Sequence, residues 1–161
     1  GLGDVYKRQT LSNYLGYIEE AFLAYKTERY NIKGKDVVAG NCKYYLNDLS
    51  FKNFLYPGFA YGVGYLLENA VYLELRRLGY IVYTGSFRDK EVDFVAMKDD
   101  RVIYLQATYM LETAQTMERE YAPLLTIGDN YEKYVVSMDE VQFPSNEGVR
   151  HIQAWNLKEI L

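Results

Sequence analysis

A single cysteine, Cys42, excludes any intrachain disulfide, and one cysteine with one histidine, His151, cannot build a typical structural zinc site. No apolar run approaches the roughly 18 residues that a bilayer-spanning helix needs. The start of the chain has none of the charged-then-apolar layout of a signal peptide. Residues 1–9 also lack a cap and an apolar stripe, so they read as a fragment edge or a sequencing scar. No G-x-x-x-x-G-K-[ST] run is present, so this chain holds no nucleotide-binding loop of that kind. Positive charge is not in excess either. A net charge of −4 argues against a surface that grips nucleic acid everywhere through its phosphates, although it leaves room for a local basic patch. These absences point to the cytoplasm and to no membrane partner.

What is present suits one core. A chain of 161 residues with 49% apolar side chains can bury a single domain of respectable size and not two. Tyrosine is abundant, at 18 residues, and reads as scattered core-edge packing rather than a platform for stacked bases. No internal repeat, low-complexity stretch or long linker interrupts the chain.

Residues 10–25 open with Thr10 or Ser12 as a cap and place Leu15, Ile18, Ala21 and Phe22 at helical spacing. Residues 24–30 alternate as a short strand, and residues 31–35 form a turn. A helix followed by a basic hairpin suggests the end of a winged helix. Between Lys26 and Lys43 stand Lys26, Arg29, Lys33, Lys35 and Lys43 against only Glu28 and Asp36, a surplus that suits either phosphate contacts or a solvated hairpin. Residues 42–48 read as a short strand and turn, followed by a mixed segment to Pro57 and Gly58. The longest helix spans 62–78, with Leu67, Val71, Leu75 and Leu78 as its stripe and Gly79 at its C-cap. Strands follow at 80–85, 91–97 and 102–109, the last two joined by the turn at 98–101. A helix at 112–125, strands at 133–138 and 149–155, and a short terminal helix complete an α/β order. In that order the strand after the second helix should return beside the meander.

Three polar side chains sit where core logic would not put them. Glu68 shares its helical face with Val71, Tyr72 and Leu75, which aims a carboxylate at the apolar side. In strict alternation, Asp93 lies with Glu91 and Val95, opposite Val92 and Phe94. Gln106 and Thr108 likewise oppose Leu105 and Ala107. Two neighbouring strands can thus present Asp93 and Gln106 side by side, above a helix that brings Glu68.

These residues, Leu67-Glu68-Asn69, Glu91-Val92-Asp93-Phe94 and the strand with Gln106, resemble the PD-(D/E)XK restriction-endonuclease-like core. The resemblance extends to residues 10–15, 29–35, 43–48, Tyr121, 127–134 and 137–139. It covers nearly the whole chain after Gln9 and is similar to the C-terminal region, domain of unknown function 4143, of bacterial and archaeal AAA-class P-loop ATPases. It implies three segments: residues 1–9 outside the fold, 10–42 ending a winged helix, and 43–161 forming the nuclease-like domain. It also implies that ATP is bound by a separate N-terminal ATPase domain, which would be this module's first partner, with DNA or another protein as the second.

Active members of that superfamily hold Mg²⁺ on carboxylates and place a lysine beside the attacked phosphate. Where acid-x-lysine would stand, this chain has Gln106-Ala107-Thr108, which offers one weak amide ligand and no cation. The expectation is a non-catalytic, degenerate module whose Glu68, Asp93 and Gln106 form a buried polar network. The rival is a Mg²⁺- or Mn²⁺-dependent nuclease with Asp93, Glu68 and Glu91 as ligands and Lys90 supplying the charge. A third reading is an oligomer or interaction surface on the tyrosine-bearing helix 62–78. Lys26, Arg29, Lys33 and Lys35 are the candidate DNA contacts. His151 is expected at a surface or sheet edge, which leaves no serine or cysteine triad. Gly58, Gly62 and Gly64 lack the preceding strand of a dinucleotide fingerprint and read as loop.

Overall fold

The computed structural model describes residues 2–55, 58 and 62–161; the Pro57 end of the segment expected before the long helix lies outside the described residues. The protein is a mixed α/β fold around one seven-stranded sheet. Its elements are α1 (Leu2–Glu20), β1 (Ala24–Asn31), β2 (Asp36–Leu46), α2 (Ser50–Leu55), α3 (Val63–Arg77), β3 (Ile81–Phe87), β4 (Lys90–Lys98), β5 (Arg101–Ala107), α4 (Ala114–Leu125), β6 (Glu132–Ser137), β7 (Val149–Gln153) and a terminal 3₁₀ turn, Ala154–Glu159. The strands lie in the order β2-β1-β3-β4-β5-β6-β7.

The antiparallel meander β3-β4-β5 forms as expected, and β6 returns parallel to β5 after α4. Two findings differ from the sequence reading at the N-terminal side. Helix begins at Leu2, so α1 includes most of the segment that lacked a stripe. The hairpin β1-β2 does not stand apart as the end of another domain. β1 pairs in parallel with β3 through Arg29 opposite Thr84 and Tyr30 opposite Gly85, and a boundary after residue 42 would cut β2 in half.

Two cores sandwich the sheet. On one face, Leu67, Val71, Tyr72 and Leu75 of α3 meet Val82, Phe94, Ala96, Ile103, Leu105, Tyr134 and Val136. On the other, Tyr121 and Leu124 of α4 meet Val92, Val95, Tyr104, Val135 and Val149. The spacing of the α3 residues is the i, i+4, i+8 stripe read from the sequence, and each such fully buried aliphatic side chain contributes about 1.5–3 kcal/mol. Gly79 takes φ +88°, the left-handed conformation that ends α3, while Tyr80 N donates to Leu75 O at 3.0 Å. Thr113 caps α4, its side-chain oxygen accepting from Thr116 N at 3.1 Å.

β4 departs from simple alternation at one place. Tyr83 lies opposite Val95 and Gly85 opposite Val92, so Thr84 alone faces both Asp93 and Phe94. This is a β-bulge, an extra residue that re-aims side chains. Because of it, Phe94 points into the α3-side core, while Val92 and Val95 both point to the α4 side. Strict alternation had put Phe94 with Val92.

Candidate functional site

The site builds from the end of β2, the first turns of α3 and the bulge of β4. In the strand order, β1 and β3 separate β2 from β4, a gap of about 14 Å in a flat sheet. The sheet is not flat here. A two-residue step on β1, from Thr27 to Arg29, faces a five-residue step on β2, from Lys43 to Val38, and Tyr45 near the end of β2 belongs to the α3-side core. There the ring of Tyr45 stacks on Tyr72 at 4.2 Å between centroids and meets Phe94 of β4 at 5.7 Å.

The same curvature carries Lys43 to the carboxylates. Its Nζ lies 3.0 Å from Glu68 Oε1, 2.9 Å from Glu91 Oε1 and 3.3 Å from Asp93 Oδ1. Tyr45 donates its hydroxyl to Glu68 Oε1 at 2.7 Å, and Arg29 closes the outer side with Glu91 Oε2 at 2.6 Å. Asn69, wholly buried one residue beyond Glu68, clamps the β2 backbone: its Oδ1 accepts from Leu46 N at 2.8 Å and its Nδ2 donates to Leu46 O at 2.9 Å. Adjacent side chains of α3 therefore hold the hairpin by charge and by amide pairing.

Asp93 is 8% exposed. Its burial, and secondly the Glu68 charge beside it, push its carboxyl up to about 7, against the opposing pull of Lys43 and of the Ala107 N–H. The Lys43 ammonium is held above its ordinary range, because Asp93 and Glu68 together outweigh the burial that would lower it.

The structure brings Glu68, Asp93 and Glu91 together as the sequence suggested, but the fourth member is different. Lys90 lies against a cavity of about 730 Å³ between α4 and residues 143–146, with Met117, Leu125 and Phe143. Lys43 is the lysine that meets Asp93. In the sequence it stood in a basic hairpin and in the family resemblance but not among the site residues, and no local spacing links it to residue 93. Gln106 does reach Asp93, through the backbone: its Oε1 accepts from Asp93 N at 3.2 Å, while Ala107 N donates to Asp93 Oδ2 at 3.0 Å. Thr108 is buried past the end of β5, its N–H donating to Val136 O at 3.0 Å.

Among the described residues, no three or more His, Cys, Asp or Glu side chains are placed to hold a metal ion. The space between the carboxylates belongs to the Lys43 ammonium. Of the four hairpin candidates, Lys26, Lys33 and Lys35 are exposed, whereas Arg29 is half-buried and engaged by Glu91. The tyrosines of α3 divide: Tyr72 is in the core, and Tyr65, 40% exposed, donates to Tyr44 O at 3.2 Å.

For His151, of the two positions expected from the sequence, the sheet edge holds and the surface does not. It stands on the edge strand β7 but is 3% exposed. Its Nδ1 accepts from Phe143 N at 3.2 Å, which leaves the proton on Nε2 to be donated to Ser137 Oγ at 2.8 Å. Ser137 Oγ in turn donates to Asp139 Oδ2 at 2.7 Å, and Leu111 N donates to the same oxygen at 2.8 Å. In a hydrolase the imidazole accepts the serine proton; here it donates to the serine, so the trio is a closed structural network.

The chain is 37% identical over 128 residues to an uncharacterized protein of Haemophilus influenzae, covering 80% of this chain and 31% of that protein. It is 32% identical over 117 residues to an uncharacterized protein of Methanocaldococcus jannaschii, covering 70% of this chain and 25% of that one. The chain thus spans less than a third of the length of these curated relatives. No family model matches it, and no solved structure matches it. No helix among the described residues is long and apolar enough to cross a membrane.

Proposed function

We propose that this chain is a non-catalytic, nuclease-like C-terminal module of a larger AAA-class ATPase, and that it positions the ATPase on DNA or on a protein partner. The single observation that carries the reading is the state of residues 106–108. Gln106 is committed to the Asp93 backbone, and Thr108 is buried at the start of the next connection. Neither supplies the second carboxylate or the cation that metal-assisted phosphodiester hydrolysis requires. The retained Glu68 and Asp93, the order of helix, meander, helix and strand, and the resemblance to the nuclease-like core support the fold assignment. The greater length of the relatives leaves room for an ATPase domain.

The exposed Lys26, Lys33 and Lys35 on the hairpin are the surface offered to phosphates under this reading. The experiment is incubation with labelled duplex, single-stranded and branched DNA in Mn²⁺, Mg²⁺ or EDTA, with Asp93→Ala alongside. No metal-dependent cleavage is expected. Cleavage that needs metal and disappears in Asp93→Ala overturns the reading in favour of a live nuclease. A gel shift that persists in EDTA and is lost in Lys33→Glu with Lys35→Glu identifies DNA as the partner; no shift with any of the three DNAs points to a protein.

A further inference from the structure

The nuclease resemblance implies a divalent metal on Glu68, Glu91 and Asp93, and the side chains as placed do not fit one. Three carboxylate oxygens, from α3 and from two positions of β4, converge on a single nitrogen at 3.0, 2.9 and 3.3 Å. An ammonium has three N–H donors, and three acceptors use them all. A magnesium-like ion would need its oxygens at about 2.1 Å, so the same carboxylates would have to close in by about 1 Å around a space that Lys43 already fills.

We propose that the Lys43 ammonium is a tethered counter-ion that occupies the cation position of this site and closes it to divalent metal. The charges agree with this. Above the pH at which Asp93 gives up its proton, Glu68, Glu91 and Asp93 bring three carboxylates against the two cations Lys43 and Arg29. Without Lys43, the surplus of acid is the charge that a divalent ion neutralises. The anchoring is also specific. Lys43 arrives across two intervening strands because Asn69 clamps Leu46, and Tyr45 is fixed by both Glu68 and Tyr72. The ammonium is thereby delivered by the fold and does not depend on ions in solution. The proposal deepens the non-catalytic reading and rests on it.

The test is Mn²⁺ binding, followed by electron paramagnetic resonance of free ion and by thermal melting, in wild type, Lys43→Ala and Lys43→Arg. Wild type and Lys43→Arg, which keeps the charge, are expected to bind no stoichiometric Mn²⁺. Lys43→Ala is expected to bind one Mn²⁺ at least about tenfold more tightly than wild type, because ligand charge without an internal cation sets the affinity. Its melting temperature should rise with Mn²⁺, and adding Asp93→Asn should abolish both effects. If Lys43→Ala does not fold without metal, Lys43→Met, which keeps an unbranched stem and removes the charge, carries the same comparison. Stoichiometric binding by wild type that Asp93→Asn removes overturns the proposal, as does neutral-variant binding no tighter than wild type. Neither result alone touches the non-catalytic reading, which fails only if wild type cleaves DNA.

Discussion

Gln106 holds Asp93 by its main chain: the side-chain Oε1 accepts from the Asp93 backbone N–H at 3.2 Å, across the gap where β4 and β5 stop pairing after Phe94 and Leu105. The β4–β5 ladder ends at Phe94 and Leu105, and a side chain from the neighbouring strand takes up that N–H in place of a ladder carbonyl. Gln106→Ala should therefore destabilise the protein by roughly 1–3 kcal/mol, the cost of a buried donor left unmade. Urea unfolding with an unchanged slope reads it. A midpoint equal to wild type would mean that the bond does not hold the bulge.

Asp93 sets a stability slope whose sign is unusual for a carboxylate. Burial and Glu68 raise its carboxyl to about 7 in the folded protein, above its value in the unfolded chain, so the native state binds the proton more tightly. Stability from this group is complete at acid pH and falls as pH rises from about 4 towards 7, by up to about 1.4 kcal/mol per pH unit for one proton. Asp93→Asn removes the titrating group, so the mutant should gain on wild type as pH rises across this window. Unfolding free energies of both proteins between pH 4.5 and pH 8 test it; parallel curves would show that Asp93 titrates normally.

His151 gives the opposite sign. Its burial lowers the imidazole below its ordinary range, with Asp139 pulling weakly the other way. The unfolded chain therefore binds the proton more tightly, and the histidine's contribution is present above about pH 6.5 and is lost as pH falls below it. Protonation of Nδ1 removes the acceptor of the Phe143 N–H, while Nε2 still donates to Ser137 Oγ. His151→Gln should be less stable than wild type at pH 8, with the difference narrowing at pH 5. Chemical unfolding at the two pH values measures it, and a constant difference would place the proton elsewhere.

The meander and both flanking helices were legible because Leu105 and Ala107 and the Leu67, Val71, Leu75 stripe follow local periods of two and near four. Asp93 and Glu68 were legible as acids out of place. The rest depends on contacts that no local period encodes. The bulge at Asp93 adds one residue to β4 and switches the face of Phe94, which an alternation rule cannot register. Lys43 reads as one charge of a soluble hairpin until the sheet curls it onto α3. Asn69 reads as a neutral helix residue until its amide meets Leu46. His151 lies on an edge strand, and only the return of Gln142 and Phe143 over it turns an edge position into a buried one.

Gly85 lies where the bulge makes backbone space scarce. A Cβ built there would come within 2.8 Å of Val95 Cγ2, 3.0 Å of Val92 Cβ and 3.0 Å of Ile32 Cδ1. Val92 and Val95 are wholly buried and both point to the α4 side because of the extra residue at Asp93 and Phe94. They close on the one β3 position that has no side chain. Neither valine can swing away, since each has a single stiff torsion and a filled surround. Gly85→Ala should therefore cost about 1–3 kcal/mol by overpacking, even though alanine generally suits a strand better than glycine does. Pairing it with Val95→Ala, which removes the nearest methyl group, should recover part of that loss relative to the sum of the two single changes. Thermal or urea unfolding of the four proteins in this cycle reads the coupling. Strict additivity would show that the bulge leaves more room at Gly85 than its neighbours' positions imply.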